Sequence, residues 1–248
     1  MSGTMSRRAL VGGSLLLAGC DALVTDRRAR AVVQGAEAAT LRWQRLVGRD
    51  ALAREFSAAD ISPVFKANGT IDPVEPGYRT HVATGFADWR VKLGGLVARP
   101  LSLSVADLLA MPARRQITRH DCVEGWSAIG GWEGPPLALL LQAAGVRAAA
   151  RYVVFLCADH YGGGTARYYE SIDLIDAWHP QTILALRLNG QPLDVAHGAP
   201  VRLRVERQLG YKHAKYVEEI LLVASLAGFG RGRGGYWEDR GYEWYAGI

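Results

Sequence analysis

Paired metal-binding cysteines are missing from this chain. Its three cysteines, Cys20, Cys122 and Cys157, form neither a Cys-x-x-Cys unit nor a Cys-x-x-Cys-His haem attachment. His-Glu-x-x-His is absent too and the six histidines are scattered, so nothing in the spacing supports a zinc site. A lysine-rich tail and a basic repeat interleaved with aromatics are also lacking, and the formal charge is only +5. These features argue against nucleic acid as a partner. No apolar run is long enough to span a bilayer: the uncharged stretch at residues 9–19 would reach only about 16 Å as a helix, against a hydrocarbon core of roughly 30 Å. No internal repeat or low-complexity linker interrupts the chain after Pro63.

What is present is an ordinary globular composition, 49% hydrophobic and 21% charged over 248 residues, enough for one sizeable core. The N-terminus differs from the rest. Arg7 and Arg8 precede the uncharged stretch in a signal-peptide pattern. Ser6-Arg7-Arg8 resembles a twin-arginine signal, and Leu17-Ala18-Gly19-Cys20 resembles a bacterial lipobox. The expectation is an exported leader over residues 1–20 and a lipid anchor at Cys20. The protein would then reside in the periplasm or on the outer face of the cytoplasmic membrane. A plain secretory signal is the alternative. Residues 21–62 read as a helical N-terminal segment, a helix or two docked on the main body, with Val32, Leu41, Trp43, Leu46, Leu52 and Phe56 at mixed apolar spacing. Residues 63–248 read as one catalytic domain.

Within that domain, Asn68-Gly69 and the segment at 73–77 predict an irregular lead-in that lies across a surface or site. Trp89, Val91 and Leu93 alternate with Arg90 and Lys92, which predicts a half-buried strand. Ser104 predicts the cap of a short helix ending before Pro112. Residues 116–121 predict a strand that delivers Cys122 into a loop containing Gly125, Gly130, Gly131 and Gly134. Residues 136–144 predict a helix closed by Gly145. Further strands are expected at 152–156, 183–188 and 217–223, with a hairpin turn at Asn189-Gly190. The fold class expected is α+β, mixed and strand-rich.

Two constellations bear chemistry. Cys122 follows His120-Asp121 in a glycine- and aromatic-rich segment, and the residues alone leave three readings open: a disulfide to Cys157, a metal thiolate, or a catalytic thiol paired with a histidine such as His160 or His213. A cofactor-free binding lipoprotein is a further class. Between His197 and Lys215, Arg202 and Arg204 share one strand face opposite Val201, Leu203 and Val205. That face either holds a phosphate through bidentate guanidinium bonds or is solvated, with Glu206 partly neutralising it.

Cys122-Val123-Glu124-Gly125-Trp126-Ser127, with Trp132, Gly134 and Pro136-Leu137 after it, resembles the molybdopterin-binding domain of the sulfite oxidase superfamily. Residues 152–156, His179-Pro180-Gln181-Thr182, His197-Gly198-Ala199-Pro200-Val201-Arg202 and Gly210-Tyr211-Lys212-His213-Ala214-Lys215 resemble successive blocks of the same domain in the same order. The nearest resemblance is to the bacterial periplasmic branch that includes the methionine-sulfoxide reductase catalytic subunit. Sulfite oxidases of plants and animals carry Cys-Ala-Gly-Asn-Arg where this chain has Cys122-Val123-Glu124-Gly125-Trp126.

The resemblance implies a molybdenum-molybdopterin cofactor with Cys122 as its protein ligand to molybdenum. It implies cofactor contacts from Asn68, Cys157, His197, Arg202, His213, Ala214 and Lys215, where His197, Cys157 and His213 replace the branch's asparagine, threonine and glycine. The activity implied is two-electron oxygen-atom transfer on a small sulfur-containing substrate, sulfoxide reduction rather than sulfite oxidation. Trp126, beside Cys122, is the aromatic residue most expected at the reacting centre. Trp132, Tyr161, Tyr211, Trp237 and Trp244 are further candidates for walls. Neither the second, immunoglobulin-like domain of full sulfite oxidases nor a haem segment is expected in this chain. The expected electron partner is therefore a separate cytochrome or membrane haem protein. The glycine- and aromatic-rich segment at 228–247 is expected to wrap the domain or cover the pocket.

Overall fold

The computed structural model describes residues 26–161 and 164–248. The leader signature and Cys20 lie outside the described residues. The chain divides after Arg49 into two units. In the first, helix α1 (Arg27–Gly48) starts at Asp26, whose carboxylate accepts from the backbone N–H groups of Arg28 and Ala29 at 2.8 and 2.9 Å. No second α-helix follows up to residue 62, only a single 3-10 turn at Ala58–Asp60 capped by Ser57. Residues 50–62 belong to the second unit and run irregularly along its edge, where Glu55 bridges Thr118 and Phe56 N–H donates to the Ile117 carbonyl at 2.8 Å.

The second unit, Asp50 to Ile248, is mixed and strand-rich, as the sequence predicts. Helix α2 (Pro76–Ala83) precedes strands β1 (Arg90–Gly95) and β2 (Leu101–Ser104). Helix α3 (Val105–Ala110) starts at Ser104, which forms a capping box with Asp107. Strands β3 (Arg114–Cys122) and β4 (Trp126–Gly134) form a hairpin, and helix α4 (Leu137–Ala144) follows. Next come β5 (Tyr152–His160), β6 (Arg167–Asp173), the short helix α5 (Leu174–Ala177), β7 (Thr182–Ala185), β8 (Arg187–Leu188) and β9 (Gln191–Pro192). Strands β10 (Arg202–Val205) and β11 (Val217–Val223) complete the described strands. A five-stranded sheet has the order β2-β1-β11-β5-β6, with β1 parallel to β11 and the other pairs antiparallel. A four-stranded sheet has the order β3-β4-β8-β9, and β7 and β10 pair as a ribbon.

The core follows from these periodicities. Leu137, Leu140, Leu141 and Ala144 fall at i, i+3, i+4 and i+7 on α4, and all are fully buried. They pack in one cluster with Val91 and Leu93 of β1, Val153 and Phe155 of β5, and Ile220 and Leu222 of β11. Burying each large side chain contributes about 1.5–3 kcal/mol. Gly145 ends α4 with φ of 70°, in the left-handed region that favours glycine.

The structure corrects the sequence reading at several places. Gly130, Gly131 and Gly134 lie inside β4, not in a loop after Cys122. A Cβ at Gly134 would stand 1.9 Å from the Leu184 carbonyl oxygen, and one at Gly130 would stand 2.9 Å from the Phe65 ring. Close approach requires these glycines, and local conformation does not. The expected strand at 183–188 is two strands, β7 and β8. The arginine face of β10 is not solvated: Arg202 and Arg204 are as buried as the apolar residues alternating with them. Strand β6 escapes the apolar pattern because Glu170 is fully buried at its centre.

Candidate functional site

The β3–β4 hairpin sets the site. Cys122 ends β3 and faces Trp126 in register across a tight turn, closed by a 3.0 Å hydrogen bond from Gly125 N–H to the Cys122 carbonyl. Gly125 carries φ of 84°. The Cys122 side chain lies in a cleft of about 680 Å³. Its walls come from the lead-in (Asn68, Gly69, Thr70), the hairpin turn (Val123, Glu124), the end of β5 (Asp159, Tyr161), and the 210–215 segment (Tyr211, His213, Lys215). Trp237 and Tyr242 of the C-terminal segment complete the lining.

Cys122 and Cys157 are both free, so the disulfide reading fails. Burial pushes the Cys122 thiol up, against hydrogen bonds from the Glu124 backbone and the Asn68 side chain. That direction is opposite to what a catalytic nucleophile needs. Asp159 is a functional candidate that the sequence reading missed. Its carboxyl lines the cleft, is 3% exposed, and is raised by burial to about 6. The available signal was an aspartate on the same face as Cys157 in an otherwise apolar strand.

Of the residues predicted from sequence, Asn68, Cys122, His213 and Lys215 meet on the cleft lining. Trp126 does not. Its Nε1 donates to Glu124 at 2.9 Å, and the Lys66 ammonium lies 5.6 Å from its ring centroid, so it orients Glu124 from behind. Cys157 and Ala214 are fully buried in the core cluster. The His197 ring joins the Asp194 carboxylate (2.7 Å) and the Phe65 carbonyl (2.9 Å). Arg202 is buried behind the cleft, with its guanidinium carbon 4.9 Å from the Trp132 ring centroid and Nη1 donating to the His197 carbonyl at 3.0 Å. Trp244 is also off the lining, donating to Ser171 Oγ at 2.8 Å.

Buried polar atoms without a partner include His213 Nδ1 and Nε and Nη2 of Arg202. Leaving such groups unpaired is costly; the two arginine N–H groups fit an anionic oxygen, and an acceptor such as His213 Nδ1 fits an N–H donor. Burial, then Arg204, holds the His213 ring neutral. Its Nε2 donates to the Gln208 carbonyl at 3.0 Å, which leaves Nδ1 as an acceptor. Arg204 differs from Arg202: it is fully paired, with Glu206 at 2.5 and 2.9 Å and with His120 Nδ1 at 2.9 Å. Of the two arginines on β10, Arg202 is thus the one left to bind an anion.

Known proteins match this architecture. The family described as "oxidoreductase molybdopterin binding domain" matches residues 79–226. A putative protein-methionine-sulfoxide reductase subunit of Azospira oryzae is 43% identical over 161 residues, 65% of this chain and 56% of that protein. The protein-methionine-sulfoxide reductase catalytic subunit of Xanthomonas axonopodis pv. citri is 37% identical over 150 residues, 57% of this chain and 47% of that protein. The chain therefore spans about half the length of these curated relatives. The solved sulfane dehydrogenase SoxCD from Paracoccus pantotrophus shares the fold with a TM-score of 0.51 at 24% identity, over 56% of this chain and 39% of that one.

Proposed function

The chain belongs to the oxidoreductase molybdopterin-binding domain family, and on that premise we propose that it is an exported molybdenum-cofactor enzyme that reduces sulfoxides by two-electron oxygen-atom transfer. One observation carries the reading: Cys122 opens into a cleft together with Asn68, His213 and Lys215, brought from three distant parts of the chain. The names of the two curated relatives favour a sulfoxide over sulfite.

In balanced form, a sulfoxide takes up two electrons and two protons and leaves as sulfide and water. When bound, the cofactor supplies the metal at which oxygen is exchanged, with the Cys122 thiolate as the protein's soft ligand to it. The chain's own residues do the rest. Asn68 stands beside Cys122 on the cleft lining, where its side-chain amide can hold the cofactor. Arg202 offers two unused N–H groups to an anionic oxygen, and His213 Nδ1 accepts from an N–H donor. Lys215 holds the lead-in against the 196 loop, while Ala214, Cys157 and His197 support the cofactor site from behind. Asp159, whose carboxyl titrates near 6, holds a proton at the cleft wall for the departing oxygen. Trp126 fixes Glu124 at the rim. Electrons come from a separate cytochrome or membrane haem protein, in keeping with relatives named as subunits. The enzyme works in the periplasm or on the outer face of the cytoplasmic membrane, tethered by lipid on Cys20.

The test is molybdenum per chain in protein exported from a cofactor-competent host, beside Cys122→Ser. About one metal per chain in the wild type and none in the variant supports the reading. A metal-free wild type overturns it. Mass of the exported chain against Cys20→Ala reads the anchor separately.

A further inference from the structure

We propose that Trp237 and Tyr242 form a substrate lip that grips the S-methyl side of a methyl sulfoxide, an inference that rests on the sulfoxide chemistry proposed above. Four rings on the cleft lining make a continuous wall: Tyr161 to Trp237 at 5.1 Å between centroids, Trp237 to Tyr242 at 5.1 Å, and Tyr242 to Tyr211 at 5.2 Å. Tyr161 and Tyr211 lie within the stretch matched by the family, whereas Trp237 and Tyr242 lie beyond its end at residue 226. The outer half of the wall therefore lies outside the stretch that the family model matches. Tyr242, 39% exposed, stands at the rim.

The segment is held firmly. Tyr211 donates its hydroxyl to the Glu243 carbonyl at 2.6 Å, Tyr169 donates to Asp239 at 2.8 Å, and buried Lys212 bonds Glu238. Leu209 N–H donates to the Ala246 carbonyl at 2.9 Å. The two rings are fixed in place before substrate arrives, so little ordering is required on binding.

The chemistry of the lining selects a neutral substrate. Lys215 is the only cationic side chain on the described lining, since His213 is held neutral, and its Nζ is directed at the carbonyls of Asn68, Thr70 and Ala196. Glu124 stands on the lining beside Cys122. An anion such as sulfite meets a carboxylate, electron-rich ring faces and no unengaged ammonium. A methyl group on a sulfinyl sulfur is electron-poor and suits those faces, and sulfur itself makes favourable contacts with aromatic rings.

The experiment measures steady-state kinetics with methyl phenyl sulfoxide on molybdenum-loaded wild type, Trp237→Leu, Tyr242→Leu and Tyr242→Phe. On the same preparations, saturation-transfer NMR reads binding of the sulfoxide methyl group. The leucine variants are expected to raise KM about three- to tenfold each, with kcat within twofold and molybdenum per chain unchanged, while Tyr242→Phe keeps the wild-type KM. Unchanged KM in both leucine variants, with sulfoxide still reduced, overturns the lip and leaves the reaction standing. If the loaded wild type reduces no sulfoxide, the reaction fails and NMR alone judges the lip. A methyl signal weakened in the leucine variants and kept in Tyr242→Phe then supports it, and equal or absent signals throughout overturn it.

Discussion

Lys215 Nζ donates a 2.6 Å hydrogen bond to the backbone carbonyl of Asn68, a residue 147 positions earlier in the chain. The same ammonium reaches the Ala196 carbonyl at 2.9 Å and the Thr70 carbonyl. Lys215, with the Tyr216 hydroxyl donating to the Thr70 carbonyl at 2.7 Å, thus fastens the irregular lead-in without any secondary structure. Replacing Lys215 takes the donor from the Asn68 and Ala196 carbonyls, at about 1–3 kcal/mol each before relaxation. Lys215→Met is expected to lose on the order of 2–3 kcal/mol in urea denaturation and to speed alkylation of Cys122 in cofactor-free protein. An alkylation rate equal to wild type would show that the lead-in is held by other contacts.

The two thiols of the second unit differ in access. Cys122 is 9% exposed and faces the cleft, while Cys157 is fully buried, and burial pushes both thiols upward. In a Cys20→Ser background without cofactor, iodoacetamide at pH 7 should label Cys122 slowly and Cys157 only after denaturation. The Cys122 rate should climb steeply above pH 8, as the thiolate fraction rises. Labelling of Cys157 in the native protein would contradict the packing described here.

Asp159 makes stability depend on pH. Its folded value of about 6 lies above its ordinary 3.8, so the native state prefers the protonated carboxyl. Below about pH 4 the group is protonated in both folded and unfolded chains and imposes no penalty. Between about pH 4 and 6 the unfolded chain ionises while the folded carboxyl keeps its proton, so a penalty on the order of 2–3 kcal/mol builds up, at roughly 1.4 kcal/mol per unit, and stays constant above 6. Lys215 on the 210–215 segment and Glu75 at the start of α2 act on it in opposite directions. Asp159→Asn should therefore be more stable than wild type at pH 8 and equal to it at pH 4. Equal denaturation midpoints at both pH values would rule out the buried-acid account.

Lys212 lies between two buried carboxylates, Glu170 at 2.7 Å and Glu238. Burial, with Glu238 adding to it, pushes the Glu170 carboxyl well up against the pull of Lys212. One ammonium cannot neutralise two carboxylates, so a proton stays with the pair. Glu170→Gln keeps the hydrogen-bonding shape and removes the excess charge, so its stability at pH 7 should stay within about 1 kcal/mol of wild type. Lys212→Met leaves both carboxyls without their cation and should cost about 3–5 kcal/mol, releasing the C-terminal segment to limited proteolysis. If the two variants lose stability equally, the shared-proton arrangement is wrong.

Much of this protein was legible in its sequence, and the reason is local. Alternation around Val91, the Ser104 cap, the Gly145 stop and the Asn189-Gly190 turn are decided by residues within one turn or one strand of each other, and each stands where the pattern puts it. Cys122 was legible as the site's centre because its block and the later ones keep their order along the chain. What the sequence by itself determined, then, was the family, the elements bounded by local signals and the cysteine that opens into the cleft. Tertiary structure decided the rest, because burial and pairing depend on partners far along the chain. It buried both faces of β10, paired Arg204 with Glu206 and left Arg202 with free N–H groups. It moved Trp126 off the cleft and raised Asp159 by desolvation. It also brought Trp237 and Tyr242, more than a hundred residues along the chain, into the cleft that Cys122 lines.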